Sequence, residues 1–362
     1  MNRQEIPLRK DRQTGPDLIR ILAMVLITMI HYIGYSGILE AEAFGSVNHL
    51  LLTALHSLSK AGVNLFVLIT GYFMASKTVT IQKVVRLLVD VGFASVILLV
   101  FGAIFSTAPL SASNLVRGIF PFTTFSYWYV NTYVLLLLIA PFLNKIIRDL
   151  GEKRHKGLLI FWGILICILL VMNPFVNATV YIGHSNGIVW FAFLYMTGAY
   201  LKQYALRLPK YGYAVVGGCS LCALVVIELI SDKLHLPAQM QLLENNSIFV
   251  FLLSLSIFVL LKDVKLSNQK VGNVLFVLSS ASFFIYLIQE HVMIRPWIWK
   301  QLHITDFAGS WMLWVHFAGS VLLLWPIAIL IKFLSQKWFC LIRPLFTKGT
   351  DWIEKKCSRL AK

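Results

Sequence analysis

The stretch DLIRILAMVLITMIHYIGYS, residues 17–36, is an apolar run interrupted only by Asp17, Arg20 and His31. A helix of about 20 mostly apolar residues crosses the hydrocarbon of a bilayer. Nine further runs of this kind follow, at 54–75, 84–106, 126–146, 157–173, 188–204, 212–231, 246–262, 272–293 and 311–334. Gly, Pro and aromatic residues inside several of them are tolerated in packed membrane helices. The runs lack the short alternating pattern of a membrane barrel. The basic segment Met1–Pro16 followed by an apolar run resembles a signal peptide, but with so many spans after it the run reads as an uncleaved first helix.

Composition agrees. Of 362 residues, 58% are hydrophobic and only 13% charged, against about 25% charged in soluble domains. Such a chain has too little polar surface to face water and needs lipid around it. The formal charge of +16 does not indicate nucleic acid, because the basic residues sit in short clusters between apolar runs rather than on one wet face. With the N-terminus placed inside, the inner segments hold 26 Lys and Arg, and the outer ones hold only Lys60, Arg117, Lys233, Arg295 and Lys300. Arg20 lies within the first span. Positive charge is retained on the cytoplasmic side of membrane proteins. The expected fold is therefore all-α and polytopic, with about ten transmembrane helices and both termini cytoplasmic.

The expected organisation is a membrane domain over 1–335 and a basic tail over 336–362. The tail mixes Trp338, Phe339, Leu341, Phe346 and Trp352 with Lys and Arg, the composition of a helix lying on the inner leaflet. Cys219 and Cys222 have C-x-x-C spacing, but no second pair or His cluster completes a metal site, so they read as small packing residues. Cys167 lies in an apolar run as well, and Cys340 and Cys357 fall near the inner surface. No metal is expected.

Polar groups deep in a membrane are costly and mark functional sites. Here they are Asp17, Arg20 and His31 in the first span, Asp90 in the third, Glu228 in the seventh, and Gln289, Glu290 and His291 in the ninth. Arg20 and His31 are eleven residues apart, close to three helical turns, so they share one face about 16 Å apart along the axis. A permanent cation at the inner end and an imidazole deeper in would suit an acyl-coenzyme A donor, whose phosphates stay at the surface while its thin arm reaches inward. Imidazole is matched to proton transfer near neutral pH. The bland alternative is a packing histidine with Arg20 snorkelling to the headgroups. Asp90 and Glu228 have no partner that the sequence identifies.

Four segments resemble the membrane acyltransferase-3 family. Asp17-Leu18-Ile19-Arg20-Ile21-Leu22-Ala23, ending at His31, is similar to its first-helix signature with an Arg-x10-His pair. Gly62 to Phe73, with Thr70-Gly71-Tyr72, resembles the second helix. Tyr127-Trp128-Tyr129-Val130-Asn131 resembles the start of the fourth, and Ser282-Phe283-Phe284-Ile285-Tyr286-Leu287-Ile288 a late helix. Two departures stand out. Lys83-Val84-Val85-Arg86 replaces the family's Arg-x-Arg, and Gln289 stands where many members carry His.

The resemblance implies a bacterial plasma-membrane O-acyltransferase. It would move an acyl group, commonly acetyl, from acyl-CoA as co-substrate to sugars of an envelope polysaccharide, an exopolysaccharide or a lipid-linked precursor, with no bound cofactor. His31, Arg20 and Glu290 become the expected catalytic residues, with Arg20, Lys83 and Arg86 at the donor. Tyr127, Trp128, Asn131, Gln289 and His291 become the expected acceptor contacts, although Trp and Tyr at a span end also form the ordinary interfacial belt. Lipid, acyl-CoA and the glycan are the expected partners; nucleic acid is not. A transporter or flippase for a lipid-linked sugar is the alternative, weakened by the absence of paired, broken halves. A polysaccharide polymerase fits least, with only five outer cations and no large loop.

Overall fold

The computed structural model describes residues 13–77, 80–176, 185–204, 208–235 and 241–360. Side chains 167–176, 241 and 345–360 lie outside the description, and with them Cys167, Phe346, Trp352 and Cys357 of the sequence analysis. The described residues form α-helices with two short 3-10 turns and no strand. The helices are α1 (Gly15–Gly34), α2 (Ile38–Ala41), α3 (Val47–Ser59), α4 (Ala61–Met74), α5 (Ile81–Ile104), α6 (Ala112–Ile119) and α7 (Trp128–Val176). They continue as α8 (Ile188–Gln203), α9 (Lys210–Lys233), α10 (Ile248–Leu261), α11 (Gln269–Glu290), α12 (Arg295–Gln301) and α13 (Met312–Leu360).

Every predicted run overlaps a helix, but among the described residues seven stretches, rather than ten, are long and apolar enough to cross a membrane. Two predicted spans share α7, which breaks at Gly151, where φ is 64°. Glycine adopts that left-handed backbone without steric cost. Two others are short. α8 has 16 residues and α10 has 14, so α8 is about 24 Å long at 1.5 Å per residue. α8 is apolar all round and buried from Trp190 to Ala199, as a helix enclosed by others should be. Its surroundings are protein, which removes the need to match the bilayer. Peripheral helices do the reverse. Leu322, Leu323 and Leu330 on α13 and Val215 and Val226 on α9 face outward, where water would penalise so large an apolar surface and lipid does not.

Between membrane helices there is no hydrophobic driving force, so small residues and close backbone approach supply the packing. α4 and α8 show this most clearly. A Cβ on Gly71 would lie 2.0 Å from the Tyr195 carbonyl oxygen, and one on Gly198 would lie 2.2 Å from that of Leu68. A Cβ on Gly62 would lie 2.9 Å from the Ala23 oxygen, so α4 also lies close against α1. On the opposite side of α1, Met29, Tyr32 and Ile33 pack with Trp299 and Leu313. The Tyr32 hydroxyl and His316 Nδ1 are 2.8 Å apart. These contacts fix the rotation of α1, and with it the direction in which Arg20 and His31 point.

A bulky residue at a glycine of the α4–α8 contact should therefore cost far more than one at an open glycine. Gly71→Leu is expected to lower stability by at least about 1–3 kcal/mol, the usual range for overpacking. Gly218→Leu, where nothing lies within 4 Å, should stay within about 0.5 kcal/mol of wild type. Thermal melting of the detergent-purified proteins, followed by size-exclusion profile, reads the difference.

Candidate active site

One cavity of about 790 Å³ runs along α1. From that helix it takes Arg20, Met24, Ile27, His31, Gly34 and Tyr35 among others. The rise from Arg20 to Gly34 is about 21 Å, so the cavity follows most of the helix. The eleven-residue spacing of Arg20 and His31 does place both on one wall. The middle is apolar and aromatic, with Val63, Phe66, Ile69, Tyr129, Phe283 and Tyr286. The two ends are polar.

His31 is held from α11. Its Nδ1 lies 2.9 Å from Gln289 Oε1, and Gln289 Nε2 donates to Thr28 Oγ1 at 2.7 Å. The Thr28 hydroxyl donates to the Met24 carbonyl at 2.9 Å, so toward Gln289 it can only accept. That orients the amide: nitrogen to Thr28, oxygen to His31. An amide oxygen accepts only, so Nδ1 of His31 carries the hydrogen and Nε2 carries the lone pair. Nε2 lies 3.4 Å from Glu290 Oε1. Glu290 is itself fixed by the Tyr35 hydroxyl, which donates to Oε1 at 3.2 Å, and by Arg295 Nη1, which donates to Oε2 at 3.2 Å. Tyr35 also stacks on His31, with ring centroids 5.3 Å apart. A proton arriving on Nε2 thus meets a carboxylate already in place. The arrangement can accept a proton from a hydroxyl and return it, which is general base and then general acid chemistry.

At the other end Arg20 Nη1 approaches Asp17 Oδ1 at 3.4 Å, and its guanidinium lies 5.7 Å from the centre of the Phe73 ring. Asp17 is buried and accepts from Ser279 Oγ at 2.6 Å, so the carboxylate is shared with α11 and Arg20 stays on the wall. Lys332 of α13 bonds Ser280, also on the wall, and brings a second cation to this end. Asp90 finds its partners here: Ser335 Oγ donates to it at 2.6 Å and Arg86 Nε lies 3.7 Å away.

The end away from Arg20 carries His56, Ser59, Lys60, Asn186, Glu244 and Asn245, since α4 starts after Lys60 and comes to Arg20 only at Phe73. Lys60 is not in an outer loop, as the charge count placed it, but at the junction of α3 and α4 within the stretch Val47–Met74. Glu228, without a partner in the sequence reading, pairs with His56 Nδ1 and accepts from Ser57 Oγ at 2.6 Å.

Of the expected catalytic, donor and acceptor residues, the cavity wall brings together Arg20, His31 and Trp128. Glu290 stands directly behind His31. Gln289 is fully buried and touches His31 and Thr28, so its contact is with the histidine, not with a ligand in the cavity. Tyr127 is buried and donates to the Leu287 carbonyl at 3.2 Å; Asn131 Nδ2 donates to the Phe122 carbonyl at 2.9 Å; His291 is buried with Nδ1 accepting from the Met293 amide at 3.2 Å. None of these three is on the wall. Arg86 packs over Phe339 with its guanidinium 4.7 Å from the ring centre, and Lys83 is exposed one turn earlier on α5. Only Leu87, next to Arg86, reaches the cavity. Thr28 and Tyr35 escaped the sequence reading, although three- and four-residue steps from His31 put them on its face. His56, Lys60, Glu244 and Asn245 escaped it too. Lys60 alone carried a signal, as a lysine inside an otherwise apolar stretch.

No curated protein and no solved structure matches the chain. A family model described as an acyltransferase domain matches residues 13–333. That match takes in both ends of the cavity and the α1–α11 contact that holds His31. The chain belongs to the acyltransferase-3 family and is a membrane acyltransferase.

Proposed function

We propose that this protein transfers an acyl group, acetyl in the first instance, from acyl-CoA to a hydroxyl of a cell-envelope polysaccharide or its lipid-linked precursor in the plasma membrane of a bacterium. The observation that carries the reading is a single cavity with a cation at one end and a histidine of fixed tautomer further along the same wall. The termini and the Arg20 end face the cytoplasm, where the basic segments of the chain gather. The phosphates of the donor lie against Arg20, with Lys332 and the surface pair Lys83 and Arg86 nearby. The apolar middle accepts the uncharged arm that bears the thioester.

His31 Nε2 takes the proton as the acceptor oxygen attacks the thioester carbon. A carbon–oxygen bond forms, and the carbon–sulfur bond breaks as the tetrahedral intermediate collapses. The thiolate leaves with the proton that His31 held. Glu290 stabilises the imidazolium between those two events, and Arg295 and Tyr35 keep Glu290 in position. A general base of this kind contributes about 10²–10⁴-fold to a rate. Tyr35 and Trp128 border the space that the acceptor enters.

The direct test is transfer itself. Purified protein in lipid nanodiscs, given labelled acetyl-CoA and the de-O-acylated polysaccharide of a strain lacking the protein, is expected to make alkali-labile acyl esters on the glycan. A glycan that stays unlabelled while labelled donor is consumed elsewhere would refute the acceptor assignment.

Gln289 supplies a sharper test of mechanism. If it sets the tautomer of His31, Gln289→Leu lowers kcat by about ten-fold or more and leaves the acceptor KM near wild type. An acceptor-binding glutamine would show the opposite split. Arg20→Gln is expected to raise the KM for acyl-CoA with little effect on that for the glycan, a difference read from initial rates at varied donor and varied acceptor.

A further inference from the structure

We propose that the far end of the cavity is a recognition site for an uncharged, hydroxyl-rich sugar ring, built by His56, Lys60, Glu244 and Asn245 with Trp128 as its apolar wall. The inference rests on the acyl-transfer reading above and names the place where that reaction takes its acceptor.

Three observations carry it. The first is cost. Lys60 and Glu228 lie on helices long and apolar enough to cross a membrane, where ionisable groups persist when they serve a pathway or a site. Glu228 is committed to His56 and Ser57, and Lys60 lies within electrostatic reach of Glu228 and Glu244. One cation against two carboxylates leaves the group net negative when the imidazole is neutral, so a phosphate or a uronate gains nothing here.

The second is the set of atoms left over. His56 uses Nδ1 on Glu228, which leaves Nε2 for a ligand. Glu244 accepts from Ser185 Oγ at 2.6 Å through Oε2, which leaves Oε1. Asn245 donates through Nδ2 to Asn186 Oδ1 at 3.0 Å, which leaves its own Oδ1. The Lys60 ammonium adds donors. Acceptors and donors are thus interleaved along one wall, the complement of hydroxyls that both give and take hydrogen bonds. An acyl chain would offer none of these groups a partner.

The third is rigidity. The Asn245 carbonyl accepts from Asn64 Nδ2 at 2.8 Å, and Asn64 Oδ1 accepts from Trp190 Nε1 at 3.0 Å. The Asn186 carbonyl accepts from Thr132 Oγ1 at 3.0 Å. The loop residues are therefore pinned to α4, α7 and α8 before any ligand arrives, which limits the ordering cost of binding. His31, Gly34 and Tyr35 line the same cavity, so a ring seated here shares that space with the imidazole.

The test uses full-length protein in nanodiscs, labelled acetyl-CoA and the de-O-acylated envelope polysaccharide as acceptor. Glu244→Gln, Asn245→Ala and Lys60→Gln are each expected to raise the acceptor KM about ten-fold or more, while the Kd for acetyl-CoA, measured separately by filter binding, stays within two-fold. Glu244 is exposed, so its substitution keeps the fold even if Lys60→Gln does not. Unchanged acceptor KM in folded Glu244→Gln and Asn245→Ala overturns the site and leaves acyl transfer standing. Loss of donor affinity in the same variants overturns it as well, by assigning this end to the donor. Wild type that binds acetyl-CoA yet acylates no glycan overturns the acceptor reading on which the site rests.

Discussion

A polar side chain inside a bilayer must find its partners within the protein, because no water is available to satisfy it. His31 meets that demand through a chain of contacts from Met24 to Thr28 to Gln289, and through Glu290 with Arg295 and Tyr35 behind it. The chain joins α1 to α11 and leaves little freedom in how either helix is turned. Structure and chemistry share the same bonds. The hydrogen bonds that make a partly buried imidazole tolerable also decide which of its nitrogens can receive a proton.

The rest of the fold keeps space open beside that imidazole. Glycines 62, 71 and 198 draw α4 against α1 and α8 to backbone contact. Tyr129, Phe283 and Tyr286 line the middle of the cavity with rings. Tight packing on one side of α4 and a wall of large rings on the other leave a long, narrow apolar space with polar ends. On the proposed reading, each end serves one substrate, and the chemistry takes place where the two meet beside His31.

Much of this was legible in the sequence. Apolar runs gave the helices, and the eleven-residue spacing gave a shared face for Arg20 and His31, because both are properties of one helix. Glu290 stood out in the sequence as an ionisable residue within an apolar run. What could not be read were contacts between helices. Gln289 occupies a position that suggests ligand binding until α1 is seen packed against it. His56 and Glu228 lie 172 residues apart, and nothing local to either announces the other. Seven described stretches, not ten, are long and apolar enough to cross a membrane, because α7 joins two of the runs across Gly151 and α8 and α10 are short, a division that hydropathy does not encode. The Tyr127, Asn131 and His291 side chains sit near the right end of the bundle but turn into protein, a rotation that composition does not encode.

The central claim is that His31 is the proton acceptor in acyl transfer. The most direct measurement compares O-acyl ester content of envelope polysaccharide from cells lacking the protein, complemented with wild type or with His31→Ala at matched membrane levels. The account predicts that esters return with wild type and stay at the deletion background with His31→Ala, whose purified form keeps its melting temperature and its acetyl-CoA affinity. Restoration of esters by His31→Ala would contradict it.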